Sequence, residues 1–339
     1  MTFRLQQVYQ HLSNPINMSG ELWEGVPLAP PDSIFKLSAA YNADPYPKKV
    51  NLGVGAYRDD DGKPWVLPVI KKASQRLLND PNLDHEYLPI TGLPEFTAAA
   101  AKLVLGPNSS ALAEGRVVSV QTISGTGANH LASVFLSKYY NFNGTKQIYL
   151  SNPTWVIHHT IFKNVGMTPI EYPYYDPRTI GLDFEGFKST VENAVPRSVI
   201  LLHACAHNPT GVDPTRDEWK ELAEVMIAKN HYAFFDCAYQ GFASGDLNND
   251  AWAVRYFADK KIPMLVCQSF AKNAGLYSQR TGALHIISPS KETANRVKSQ
   301  LSIIQRSEIS NPPSYGARLV SDSGRSTGAR GDERGTRCR

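Results

Sequence analysis

The run Pro263-Met264-Leu265-Val266-Cys267-Gln268-Ser269-Phe270-Ala271-Lys272-Asn273-Ala274-Gly275-Leu276-Tyr277-Ser278-Gln279-Arg280 starts apolar and turns abruptly polar around one lysine. Pro263 to Val266 reads as a strand buried on both faces, of the kind found inside parallel sheets. A lysine straight after such a strand is unusual, because an ammonium is rarely taken out of water without cause. Desolvation and nearby cations lower a lysine's pKa and make its amine nucleophilic enough to condense with an aldehyde. The competing reading is a lysine that snorkels from a loop, and for a lone lysine it is the stronger one.

The flanking sequence repeats the theme. Val117–Ile123, Gln147–Leu150, Ser198–Leu202, Tyr232–Phe235 and Ala283–Ile287 read as strands, and Val50–Tyr57 as a short strand entering a glycine turn. Helical spacing covers Leu67–Leu78, Pro94–Leu105 and Asn129–Tyr140. A further helix, opened by Thr215 and Glu218 at capping-box spacing, runs to about Lys229. Strands interleaved with helices predict an α/β fold, a mostly parallel central sheet with helices on both faces. In open sheets of this kind a ligand sits beyond the carboxyl ends of the strands. Ser124, Trp155, Asn208, Asp236 and Lys272 all fall at that edge, so five polar or aromatic groups share one rim.

Some motifs are excluded. Gly53-Val54-Gly55 lacks the third glycine of a dinucleotide fingerprint, since Arg58 stands there. Ser124-Gly125-Thr126-Gly127-Ala128 lacks the lysine and spacing of a Walker loop. It reads either as an ordinary capped helix start or as a strand-to-helix turn offering N–H groups and hydroxyls to a phosphate. Ser124 also lacks the Gly-x-Ser-x-Gly elbow of a hydrolase.

The composition is that of a globular protein: 339 residues, 42% apolar, 19% charged and a net charge of +4. That charge argues neither for nucleic acid nor for a membrane surface. No run approaches the length of a membrane span, no secretory h-region opens the chain, and the cytosol is the expected location. Cys205, Cys237, Cys267 and Cys338 show no metal-ligand spacing and read as reduced thiols. Met18 is a second plausible start, and the proline-rich stretch 18–35 reads as an extended arm for packing on a partner.

A lysine, an anion site, a carboxylate and a flat ring are what pyridoxal phosphate requires. Ser124–Ala128, Asn152-Pro153-Thr154-Trp155, His203-Ala204-Cys205-Ala206-His207-Asn208-Pro209-Thr210-Gly211 and Ser269–Tyr277 resemble the motifs of the aspartate aminotransferases, fold-type I pyridoxal phosphate enzymes. The eukaryotic cytosolic branch is the best match, and the likeness spans about Leu22 to Val320. The resemblance implies transamination between L-aspartate and 2-oxoglutarate in a homodimer, with small dicarboxylic amino and keto acids as substrates. It implies that Lys272 holds the cofactor and shuttles a proton, that Asp236 pairs with the pyridine nitrogen, and that Tyr239 and Asn208 bind the phenolic oxygen. Trp155 would lie against the ring and reach the substrate. Ser124, Gly125, Thr126, Ser269 and Arg280 would hold the phosphate, joined by Tyr87 from the neighbouring subunit. Gly55 would lie against the substrate carboxylate. Arg306 would grip the distal carboxylate across the dimer, as a guanidinium fork can. His158 would support Asp236 or be a satisfied core histidine.

The expected divisions are an N-terminal extension and arm (1–30), the first part of a small domain (31–64), a large cofactor-binding domain (65–320) and a tail (321–339). The tail has almost no apolar content and five arginines against three acids, so disorder is expected. The family pattern stops at Val320, before the arginine that would clamp the α-carboxylate. The chain therefore reads as C-terminally truncated, with impaired turnover as the expected consequence. The alternatives are a non-catalytic subunit and a pyridoxal phosphate enzyme of another reaction type.

Overall fold

The computed structural model describes residues 23–29, 33–51, 53 and 55–327. Contacts divide the chain into two compact units, Met1–Gly55 and Ala56–Arg339. In the first, a helix spans Ser33–Ala43, where the sequence predicts the end of an extended arm. Lys49 donates from Nζ to the carbonyls of Tyr41 (2.7 Å) and Asp44 (2.6 Å), closing the chain behind this helix. The predicted strand at Val50–Tyr57 is not found among its described residues. The Asn51 side chain instead accepts the Gly53 N–H at 3.0 Å, and this local turn takes the backbone that a strand would need.

The second unit is built on a seven-stranded sheet. Its strands are β1 (Val117–Ile123), β2 (Gln147–Asn152), β3 (Thr168–Pro173), β6 (Val199–His203), β7 (Tyr232–Cys237), β8 (Met264–Ser269) and β9 (Thr281–Ile287). β4 (Tyr175–Asp176) and β5 (Gly181–Leu182) form a separate two-stranded hairpin. The spatial order is β1-β9-β8-β7-β6-β2-β3. β3, β2, β6, β7 and β8 pair in parallel, whereas β9 runs antiparallel to both β8 and β1. β1 therefore points the same way as the parallel strands. Its last residue, Ile123, pairs with Thr281 while Ser269 of β8 pairs with Gly282, so both strands end at one rim.

The continuous apolar runs are explained by two cores, one on each face. Ile200, Leu202, Ala233, Phe235, Met264 and Val266 face a core shared with Trp219, Leu222 and Phe257. The alternate residues Leu201, Phe234 and Leu265 face another, shared with Leu131, Leu136 and Phe162. Burial on this scale stabilises by roughly 1.5–3 kcal/mol for each large apolar side chain. The helices Pro68–Leu78, Pro94–Leu105 and Arg216–Ala228 lie where the spacing predicts them, and the Thr215/Glu218 capping box is present. β3 goes unread in the sequence because Pro169 and Pro173 argue against a strand; an edge position tolerates them.

The helix Ser314–Thr327 continues seven residues past the predicted start of disorder. Leu319 is buried against Ile70 and Ala73, which anchors this helix. Beyond it, Asp322 lies 3.5 Å from Arg76, an ion pair that the composition of the tail does not announce. Residues 328–339, Cys338 and Met18 lie outside the described residues, whereas Cys205, Cys237 and Cys267 are free thiols buried in the protein.

Candidate active site

The shared rim gathers most of the residues singled out in the sequence. The helix after β1 begins at Ser124 itself, not at Asn129, and no side chain caps its first turn. The ordinary capped start is therefore excluded, and the first-turn N–H groups are left for another acceptor. Ser124 has φ +60° and Arg280 φ +51°, left-handed conformations that cost a non-glycine residue energy. They are locked together, because the Ser124 N–H donates to the Arg280 carbonyl at 3.0 Å.

The Ser124 and Ser269 hydroxyls lie 3.3 Å apart. Two glycines make that approach possible. A Cβ on Gly125 would fall 2.9 Å from Ser269 Cβ, and one on Gly282 would fall 2.4 Å from the Ser124 carbonyl carbon. Two hydroxyls and an uncapped helix start thus meet beside Arg280, whose backbone is bonded to Ser124; hydroxyls, free N–H groups and a cation are the donors an anionic phosphate needs. Thr126, one turn-position further, is exposed.

On β7, Asp236 is buried and its register partners are His203 of β6 and Cys267 of β8. His158, fully buried in the helix Ile157–Asn164, brings Nε2 to 3.0 Å from Asp236 Oδ2. The chain of contacts continues outward. Thr154 Oγ1 lies 2.9 Å from His158 Nδ1 and 3.1 Å from His203 Nε2. Asn208 N–H points to His203 Nδ1 at 3.4 Å. Trp155 packs edge-on against the His158 ring at 5.1 Å between centroids. Asp236 is therefore held in one orientation, and His158 is a partner to it, the more specific of the two sequence readings.

Burial lowers the His203 pKa well below its ordinary value, aided by His207 and His158. His207, whose pKa is pushed down to about 3 chiefly by burial, bonds Ser151 Oγ and Thr210 Oγ1, each at 2.8 Å, and stacks on Tyr174 at 3.8 Å. Both rings are thus neutral supports at neutral pH. These supporting roles of His203, His207 and Thr154 are missed by sequence reading; the signal lay in the quoted motifs, but nothing there says which hydroxyl meets which ring.

Lys272 is half-buried just beyond β8. Burial, and secondarily Arg280, push its pKa below that of an ordinary lysine. Tyr239, after β7, has its phenol pKa raised by burial first, then by Asp236 and Tyr277. A lysine eased toward its neutral form, a buried carboxylate, a phenol and a phosphate-type cradle fit the chemistry of pyridoxal phosphate.

Two predicted residues are exposed, and a third lies in the other compact unit. Tyr87 is 81% exposed. Arg306 is exposed near the end of the helix Lys291–Glu308, held by Ser310 Oγ at 2.6 Å. Gly55 belongs to the first compact unit.

A parallel sheet with a lysine, a carboxylate and an anion cradle at its carboxyl rim defines a pyridoxal-phosphate-dependent transferase. Residues 47–333 match the profile of Aminotransferase class I and II, and the chain belongs to that family. It is 52% identical over 291 residues to the cytoplasmic aspartate aminotransferase of Schizosaccharomyces pombe, covering 86% of this chain and 71% of that protein. The cytoplasmic aspartate aminotransferase structure from Saccharomyces cerevisiae superposes with a TM-score of 0.86 at 48% identity, covering 89% and 74% of the two chains. An aromatic-amino-acid aminotransferase from Burkholderia pseudomallei, covalently bound to pyridoxal phosphate, gives 0.85 at 41% identity, covering 89% and 74%.

Proposed function

We propose that this chain is a pyridoxal-phosphate-dependent aspartate transaminase, exchanging the amino group between L-aspartate and 2-oxoglutarate. The observation that carries the reading is the placement of Lys272, with its depressed pKa, on the rim that also holds Asp236 and the Ser124–Ser269 pair. Pyridoxal phosphate, when bound, supplies an aldehyde for the amine and a ring that withdraws electrons from the substrate Cα.

The protein's part follows from its own groups. Ser124, Gly125, Thr126, Ser269 and Arg280 hold the phosphate, and the uncapped helix start adds N–H donors. Lys272 would hold the aldehyde through its amine, and the same amine is the group placed to move a proton to or from the substrate. Asp236, oriented by His158, would hold a positive charge on the ring nitrogen. Tyr239 and Asn208 would hold the phenolic oxygen as hydrogen-bond donors, and Trp155 would lie against the ring.

In a homodimer, Tyr87 of one subunit reaches the phosphate of the other and Arg306 grips the distal carboxylate of the substrate. Their exposure in the single chain supports this assignment, because a group that serves the neighbouring site has to lie on the surface. Gly55 offers backbone to the substrate carboxylate. Residues 65–320 form the cofactor-binding domain.

The location is the cytoplasm, as the names of the curated relatives indicate; among the described residues no helix is long and apolar enough to cross a membrane. The test is a coupled assay of aspartate with 2-oxoglutarate, run beside aromatic amino acids and a decarboxylation control. Oxaloacetate formation that vanishes in Lys272→Ala supports the proposal. Turnover preferring aromatic substrates, or surviving in Lys272→Ala, overturns it.

A further inference from the structure

The loop between β8 and β9 carries one residue that the proposed chemistry does not use. Lys272 opens a tight turn in which the Gly275 N–H donates to the Lys272 carbonyl at 2.9 Å, with Gly275 at φ +63°. Leu276 is buried with Ile70 and Leu319 and anchors the turn to the helices. Tyr277, the next residue, then meets three partners. The Lys272 Nζ lies 5.4 Å from the centroid of its ring. Its carbonyl accepts Arg280 Nη1 at 2.9 Å, and its phenolic oxygen accepts the Tyr57 N–H at 2.8 Å.

We propose that Tyr277 is a positioning residue for Lys272: its ring face holds the ammonium, while its carbonyl and phenol tie that ring to Arg280 and to the backbone at Tyr57. The inference rests on Lys272 being the cofactor lysine. The physical basis is that an aromatic face attracts an ammonium but not a neutral amine. Tyr277 therefore acts on one protonation state only, and gives the amine a fixed resting place whenever it carries a proton.

Other groups set the balance. Burial and Arg280, just before β9, favour the neutral amine. Tyr239 and Asp236, at the end of β7, belong to the same electrostatic cluster, for Tyr239 responds to both Asp236 and Tyr277. The ring opposes Arg280, so its removal should move the Lys272 pKa further down.

The test uses the full chain without added cofactor. The titration of Lys272 is read by trace acetylation with acetic anhydride across pH and mass spectrometry of its peptide. Tyr277→Leu is expected to lower the Lys272 pKa by about half a unit. Tyr277→Phe keeps the face and should leave that titration in place, yet lose the pin at Tyr57 and speed amide hydrogen exchange there. If Tyr277→Leu does not fold, Tyr277→Met serves in its place with the same expected shift. An unshifted titration in the Leu or Met variant, or a Phe variant that shifts as far as they do, overturns the proposal. Borohydride reduction after adding pyridoxal phosphate separates the two claims. Failure to label Lys272 in the unaltered chain refutes the cofactor assignment, whereas labelling with an unshifted Leu titration refutes only the role of Tyr277.

Discussion

Acidification should destabilise this protein chiefly through its buried histidines. His207 and His285 both have pKa values pushed down to about 3 by burial, against 6.5 for an exposed imidazole. His203 and His231 are lowered in the same sense. The folded pKa lies below the unfolded one, so below about pH 6.5 the unfolded chain takes up more protons. Stability must then fall as pH drops through that window. At pH 5, a histidine shifted this far costs about 2 kcal/mol, and His207 with His285 together about 4 kcal/mol. Typical domain stabilities are about 5–15 kcal/mol, so these residues can remove a large part of the total. Two groups oppose the trend: His130, raised by its bond to Glu308, and Asp213, raised by burial. Urea unfolding, followed by tryptophan fluorescence and circular dichroism between pH 7.5 and 5, gives the slope of stability against pH. The expected slope is about 1.4 kcal/mol per pH unit for each net histidine proton, with two or more protons overall. His285→Gln should reduce it by about one proton. A total slope below one proton, or one unchanged by His285→Gln, would refute the reasoning.

Gly125→Ala, which brings a methyl group against Ser269 Cβ, should cost about 1–3 kcal/mol and weaken cofactor retention in equilibrium dialysis; retention equal to the parent would show the cradle to be loose. His158→Leu removes the partner of a buried carboxylate, and a loss of about 1–3 kcal/mol in thermal or urea unfolding is expected. A change under about 0.5 kcal/mol would mean that Asp236 does not depend on that bond. Arg306→Gln, at an exposed position, should leave stability within about 0.5 kcal/mol of the parent. In the proposed dimer it should still lower kcat/KM for aspartate by about 30-fold or more; an equal loss with an aromatic amino acid would remove its role in selecting dicarboxylates.

What could be read from the chain in advance, and what could not, divides along physical lines. Tyr232–Phe235 and Met264–Val266 were legible because every residue of a strand buried on both faces must be apolar, a pattern that survives any packing detail. Periodicity carries no sign of direction, so nothing in Thr281–Ile287 announces that β9 runs against its neighbours. That reversal matters, since it brings Arg280 to the rim beside Ser124. Ser124, Asp236 and Lys272 were legible because polar groups at the ends of buried strands have few other reasons to be there. The supports of the site were not. His203 and His207 sit in a motif, but neutral buried imidazoles chosen to satisfy Thr154, Ser151 and Thr210 resemble core histidines until the partners are located. Arg306 is the inverse case. Its local sequence and its exposed, Ser310-bonded position both describe a surface charge, and only in the proposed dimer would it have a substrate to hold. In the proposed dimer the rim of one chain would hold the cofactor, with Tyr87 joining from the neighbouring subunit, while Arg306 would select the substrate from the surface that two chains share. Variants that alter specificity without disturbing cofactor binding should therefore be found on that surface and not at the rim.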